Sequence, residues 1–508
     1  MASVSGSKLS FFAPGLDPSA VNIVLTADGS DAAGKAVDGK FNIEVFTSAA
    51  GTLTEGFQAS ALLQGSTLID NNTVQVADEI TQPEQLLAGT YAVVDETGNE
   101  DIRIIGGAAG SSITVVGSSG DTITGSALAS TSQTIDLSGL DPTTKAGAMT
   151  VIGGAGNTTV TAGSNDVIVG GAGKLGVDGN AGDDNSIVGG AGNFEAFNFG
   201  TGNTVTGGSA ATFIDDGYGA GGDNLLTGGS GTTTFIQGAA GDTLVGGSAV
   251  ITTLNSFTFG SQTILGGSGF STLISGGDND RISAGGAKTV FVSAGTNTTI
   301  FGGSNTDIGA LTDVFVVGAN DSIVGQAGAL TVGGGAAAPN VTIEGGSGNL
   351  FAFNLGTGNT VTGSTAGTTF INDEYGAGGN SSLTGGAGGS TILGGAGDTI
   401  VGGTGALEAW ISTGFGSVTV NLSASGSKDG VRDIDSDTSG TSDAGTNTTV
   451  TGFSTADDKI ESSTTTGAEL IATATETGGN VVLHFNDLST MTIVGVSLAD
   501  VGSITFTG

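Results

Sequence analysis

The chain has 508 residues, 97 of them Gly, with 5 Pro and no Cys. Scarce Pro and the lack of a strict Gly triplet exclude collagen, the missing Cys excludes a disulfide scaffold, and 37% hydrophobic residues exclude solvated low-complexity disorder. Forty-eight acidic residues against eleven basic ones give a formal net charge of −37, which repels nucleic acid and anionic membrane surfaces and makes calcium the natural small partner.

Residues 1–105 contain runs of period two, such as "NIVLTADG", "GKFNIEVF" and "GTYAVVDETG", and are expected to form a small antiparallel β domain. The opening "MASVSGSKLSFFAPG" has one Lys and no apolar run, so no Sec-type signal is expected there. No stretch approaches the ~20 apolar residues that span a bilayer as a helix, and no transmembrane segment is expected.

Residues 106–405 are punctuated by double glycines beginning at 153, 170, 189, 207, 228, 246, 266, 285 and 302. A period near 18, with apolar pieces too short for helices, predicts an all-β, Gly-rich parallel β-solenoid or β-roll. Gly makes the tight turns, Asn and Asp cap them, and the apolar residues alternate along short strands. A longer period lies on top. "GNFEAFNFGTGNTVTGG" at 192–208 returns at 348–364 as "GNLFAFNLGTGNTVTGS", and 213–229 returns at 370–386, an internal duplication at an offset of 156–157. In the repeated phrase Phe197, Phe199, Phe353 and Leu355 read as strand residues, "GTGNT" as the turn, and Thr360 to Thr362 as the next strand. Stacking explains every repeated residue type.

Residues 406–508 change again: a strand-like piece, the acidic loop "KDGVRDIDSDTSGTSDAGTN", then a series of short strands from 448. The Gly-rich half-units resemble the repeats-in-toxin (RTX) nonapeptide GGxGxDxUx. "TTVTGFSTADDKI" (448–460) and "GGNVVLHFNDLSTMTIVGVSLADVGSITF" (478–506) are similar to the C-terminal module of that family. The resemblance implies a calcium-binding β-roll, a C-terminal type I secretion module, and an extracellular, cell-surface location. The family's sixth-position Asp is mostly Asn, Thr or Ser here. "SGDTIT", "AGDTLV" and "AGDTIV" keep it at Asp121, Asp242 and Asp398, too far apart in sequence to form a continuous calcium spine.

Several acidic clusters are candidate calcium ligands. Asp433, Asp435, Asp437 and Asp443 alternate in one loop, as oxygens gathered round one ion would; a solvated linker is the plainer reading. Asp183 and Asp184, and Asp278 with Asp280, are either ligands or polar turns. Asp457 and Asp458 are either a family-like calcium turn or the end of a strand. Catalysis lacks parts: the single His484 sits in "VVLHFND", and no Ser-His-Asp or zinc set is present. A non-enzyme is expected. The Thr-rich stretches "GTTTFIQG" and "GTNTTIFGG" suggest a hydroxyl ladder, but GTGNT occurs only twice, and ordinary β-propensity accounts for them.

Together these readings predict a secreted structural protein that self-assembles, with calcium, into a surface layer (S-layer) or related extracellular lattice or filament, with cell-surface polysaccharide as a possible second partner. The alternative is an adhesin or biofilm-matrix protein that binds glycan, cells or ice through one solenoid face. A polysaccharide-cleaving enzyme built on carboxylates is the third reading, and it wants substrate-gripping aromatics that one Trp and three Tyr do not supply.

Overall fold

The computed structural model describes residues 120–508, apart from 127–128, 131, 139–148, 218–220, 257–258, 304–312, 335–337, 354, 374–378, 413–415, 423–427, 435–444 and 508; before residue 120 it describes the strands alone. The protein is nearly all β, a parallel β-solenoid with very little helix. It divides into two compact units, Met1–Thr253 and Leu254–Gly508.

In the first unit each turn contributes one short strand to one sheet and one longer strand to the other. The short strands, such as Val167–Val169, Ser186–Val188 and Thr204–Thr206, have three residues with the middle one turned inward. Ile168, Ile187, Val205, Leu226 and Leu244 therefore stack as one apolar column in parallel register, at steps of 19, 18, 21 and 18 residues. All five are fully buried. The longer strands, such as Phe194–Phe197 and Thr212–Asp215, turn two residues inward. Ala196, Ile214 and Ile236 make the facing column. Each fully buried Ile or Leu contributes about 1.5–3 kcal/mol. Repetition of that contribution, together with ladders that satisfy every strand's backbone, lets so Gly-rich a chain fold.

The double glycines form the corner, where successive turns touch backbone to backbone. A Cβ on Gly190 would collide with the Gly171 carbonyl oxygen, and one on Gly171 with the Gly154 carbonyl oxygen. The 17–21 residue spacing thus reports a steric requirement that recurs along the stack.

The second unit follows the same plan, with Ile282, Ile300, Ile323, Ile343, Val361, Leu383 and Ile400 in the short-strand column. Phe197 and Phe353 end their strands and point outward, whereas Phe199 and Leu355, expected as strand residues, lie beyond the strand ends and are buried. Period two would have kept each pair on one face, and in the first unit Asn198, at a positive φ of 62°, breaks it.

The composition shifts near 105 and 405 are not breaks in strand pairing. Val21–Ala27 and Phe41–Thr47 pair antiparallel, but Thr67–Asp70, Thr90–Asp95 and Ser112–Val116 already run parallel in register. Beyond 405, Leu407–Ser412, Gly430–Ile434 and Lys459–Ser462 continue the parallel sheet. Antiparallel pairing returns in Thr475–Thr477, Asn480–His484 and Thr490–Ile493. A short helix, Gly467–Thr473, precedes them, and Thr466 and Glu469 cap it reciprocally.

Candidate functional site in the solenoid interior

The residue immediately before each short strand turns into the interior, and in most turns it is polar. The first unit places Asp166, Asn185, Asn203, Asn224 and Asp242 there; the second places Asp280, Thr298, Asp321, Asn359, Ser381 and Asp398. All are buried. Most of them form a ladder in which the rung's side-chain oxygen accepts the backbone N–H of the equivalent residue one turn earlier, while the Thr298 hydroxyl donates to the Gly277 carbonyl. Asp166 N–H donates to Asn185 Oδ1 at 2.8 Å, Asn185 N–H to Asn203 at 2.8 Å, Asn203 N–H to Asn224 at 2.7 Å and Asn224 N–H to Asp242 at 2.9 Å. In the second unit Val341 N–H donates to Asn359 Oδ1 at 2.8 Å, Asn359 N–H to Ser381 Oγ at 3.2 Å and Ser381 N–H to Asp398 Oδ1 at 2.9 Å.

What the backbone offers on the other side matches the choice between Asp and Asn. Asp166, Asp242, Asp280, Asp321 and Asp398 each turn Oδ2 to an N–H three residues earlier, on Gly163, Ala239, Gly277, Gly318 and Gly395, at 2.6–2.7 Å. Asn185, Asn203 and Asn224 instead donate from Nδ2 to the carbonyls of Gly163, Gly182 and Gly200, at 2.9–3.0 Å. A carboxylate only accepts, whereas an amide does both. Asp242 and Asp398, which align with the RTX aspartate, thus commit both oxygens to backbone N–H groups.

Burial raises these carboxyls. Asp166 and Asp321 are pushed up to about 6 by desolvation, against the N–H groups they accept from. Two further interior carboxylates, Asp216 and Asp373, lie beside Asp242 and Asp398 respectively. Desolvation first, and then the neighbouring carboxylate, pushes each up to about 8. Nothing in "FIDDGYG" or "FINDEYG" marks these two residues as interior; turn-rich composition suggests the surface.

The candidate calcium ligands are dispersed among different environments. Asp280 belongs to the ladder and also accepts from Ser256 Oγ at 2.6 Å. Asp458 accepts from Asp429 N–H at 3.0 Å and Ser454 N–H at 2.8 Å, extending a second interior ladder in which Asp429 takes Leu407 N–H at 2.9 Å. Asp183 and Asp278 are edge staples of one design. Asp183 Oδ1 takes the N–H and hydroxyl of Thr201 at 2.8 and 3.3 Å, and Asp278 Oδ1 takes those of Thr296 at 2.7 and 3.0 Å. Those bonds hold the exposed Asp278 carboxyl below the usual carboxylate range. Asp184 is exposed at a positive φ of 56°, and Asp457 is exposed, taking Ser454 Oγ at 3.1 Å. Asp433 is buried on Gly430–Ile434, opposite Ser462. Asp435, Asp437 and Asp443 lie outside the described residues. Among the described residues no group of three or more His, Asp or Glu converges as a metal site would. His484 ends a strand and its Nε2 meets Thr475 Oγ1 at 2.9 Å.

Two outer surfaces complete the inventory. A shallow groove of about 640 Å³ follows the double-glycine corner of the first unit, lined by glycines with Ser209, Ser230 and Ser248. On the short-strand face of the second unit, register aligns Thr299, Ser322, Thr342, Thr360, Ser382, Thr399, Thr419, Thr449 and Thr492 in one outward column. The regular ladder that counting GTGNT argues against is therefore present. It is assembled from unlike local sequences that only the stacking brings into line.

No protein-family model, curated protein or solved structure matches the chain.

Proposed function

We propose that this is a secreted structural protein that assembles with copies of itself on the cell exterior, as a surface layer or related lattice, with calcium neutralising carboxylates between neighbours. The observation that carries the reading is the outer side of the first unit. Ile152, Val169 and Val188 are successive neighbours in one column, with Val167 beside them, and all four are exposed at about 40%. Flat faces with contiguous apolar side chains are interaction surfaces, and a stack of parallel strands offers them in a repeating pattern. On the longer-strand face Phe213 stacks on Phe235 at 5.1 Å, again on the outside. The net charge of −37 opposes association of copies, and a divalent cation relieves that repulsion.

The test is negative-stain electron microscopy of the purified chain with calcium and with chelator, for the wild type and for Val169→Lys with Val188→Lys. Ordered sheets or filaments in calcium that the lysines abolish are expected. Dispersed particles in every condition would overturn the reading.

The hydroxyl column favours a second reading, that of an adhesin or matrix protein binding glycan, cells or ice through the short-strand face of the second unit. It expects binding by the dispersed chain, lost when Thr360, Thr399 and Thr419 become Val.

A further inference from the structure

The internal duplication keeps its plan inside and changes its outer face. On the outward side of the longer strands the first copy carries three carboxylates, Asp178, Glu195 and Asp215, the second of them paired with Lys174 at 2.7 Å. At the equivalent places in the second copy stand Gly333, Phe351 and Asn372. Phe197 returns as Phe353 and Phe213 as Phe370. The exchange therefore removes charge and adds apolar surface.

The change runs beyond the duplicated phrases. Register aligns Leu273, Phe291, Val314, Thr331, Phe351 and Phe370 in one outward column of the second unit, and Ser293, Val316, Gly333, Phe353 and Asn372 in the next. Neither run holds a charged residue, in a chain with a net charge of −37. Glu408, which follows Thr391 in the first column, is bridged by Lys459 at 2.9 Å. Leu273, Phe291, Val316, Phe351 and Phe353 are each about 40% exposed. Phe351 packs on Phe370 with ring centroids 6.2 Å apart. The bare Gly333 makes room for the Phe353 ring, which a Cβ there would crowd at 3.2 Å.

Such a face suits an uncharged partner with the same repeat. Phe carries no hydrogen-bonding group with which to orient a sugar or a peptide. The strands beneath repeat every ~4.8 Å, and a second sheet packed ~10 Å away meets them at each step. The same face of another copy is such a sheet, and two chains of −37 meet there without opposing carboxylates. The strands from Ser271–Ser275 to Ser390–Gly394 are seven in one sheet. At the usual strand spacing they give a face of about 34 by 14 Å, and two such faces bury roughly 1,000 Å², where specific interfaces begin. We infer that this face, centred on Phe351, Phe353 and Phe370, is a two-fold seam on which a second copy packs through the same residues. The seam rests on the reading of the chain as self-assembling and gives it a contact distinct from the Val169 and Val188 column. One two-fold contact closes a dimer, whereas two different ones propagate.

The experiment is analytical ultracentrifugation of the full chain over a concentration series, in chelator at physiological salt. The background carries Val169→Lys with Val188→Lys, which remove the first unit's contact. One variant adds Phe351→Glu with Asn372→Asp, restoring the first copy's residues. Another adds Phe351→Thr with Phe370→Thr, repeating Thr331 and Thr391 of the same column. Circular dichroism checks the fold, and if the carboxylates impair it the threonine pair decides. The background is expected to dimerise. Each substitution counts twice across the two-fold, so the carboxylate pair should raise the dimer dissociation constant about 100-fold and the threonine pair about tenfold. A background that stays monomeric at every concentration would overturn the seam and leave the face to a different partner. A dimer unchanged in the folded variants would overturn it as well. The lattice fails separately: dimers that never become sheets in calcium keep the seam and sink the lattice. Calcium sheets that ignore Phe351→Glu with Asn372→Asp in an otherwise wild-type chain keep the lattice and sink the seam.

Discussion

The blocks at 192–229 and 348–386 share a plan, and the positions where they differ show what stacking demands. Phe194 becomes Leu350 and Phe199 becomes Leu355, all four buried, while Ala196 and Ala352, and Ile214 and Ile371, are kept in the core. The rung Asn203 is kept as Asn359 and Asp242 as Asp398, whereas Asn185 becomes Val341 and Asn224 becomes Ser381. Apolar volume is held loosely. Rungs change more abruptly, because each must match the donors and acceptors that two turns of backbone present. At Ser381 the change removes the amide that Asn224 donates to Asp216 in the first copy, and that is where the two copies part in chemistry.

The largest expected effect tests whether the copies are equivalent as stacks. Ile214→Ala and Ile371→Ala each remove a fully buried side chain from the middle of a column. Each should cost about 2–5 kcal/mol in denaturant unfolding; a silent change in one copy would break the equivalence.

Next in size is the pH response of the two carboxyl pairs. Asp216 and Asp373 have pKa values raised from 3.8 to about 8 by burial and by their partners, so between those values the folded chain holds protons that the unfolded chain has lost. This contribution to stability is fully present below about pH 4 and declines as pH rises to about 8. The Tm measured in chelator should fall across that window, and Asp216→Asn with Asp373→Asn should flatten the fall. A slope unchanged in the double variant would rule the pairs out as its source.

The smallest effect sharpens the comparison at the rungs. Asn203→Ala and Asn359→Ala strand the N–H groups of Asn185 and Val341 and the carbonyls of Gly182 and Gly356. Each should lose about 1–3 kcal/mol, seen as a lowered denaturation midpoint.

Much of the architecture was legible because its causes are local. A double glycine at a corner answers to a backbone contact that any Cβ would violate, so its spacing exposed the turn. The inward and outward alternation of Phe194 to Phe197 follows from the strand itself. The ladder was not legible, because direction depends on where the strand begins. In "GDDNS" three neighbours go three ways: Asp183 staples an edge, Asp184 faces solvent and Asn185 enters the core. All three read as polar turn residues in one dimension. Asp280 and Asp458 were picked out for their acidity, yet their partners are N–H groups from other turns. The hydroxyl column was hidden for a related reason: "DSIVG", "VTIEG" and "SSLTG" share no motif, only a register.

The ladder also has a direction. From Asp166 to Asp242, and again from Val341 to Asp398, each N–H is handed forward to the side chain of the next rung, so a stack halted within either run leaves one donor waiting at its leading edge, and the next turn supplies the acceptor. Near the C-terminal end Thr446 hands its N–H to Ser489 Oγ at 3.0 Å, while the Ser489 N–H turns to Asp487 within its own turn at 2.9 Å. There the relay stops, and the strands that follow are antiparallel. A chain emerging N-terminus first can therefore be zipped one coil at a time, each coil quenching the loose end of the last, with a built-in full stop.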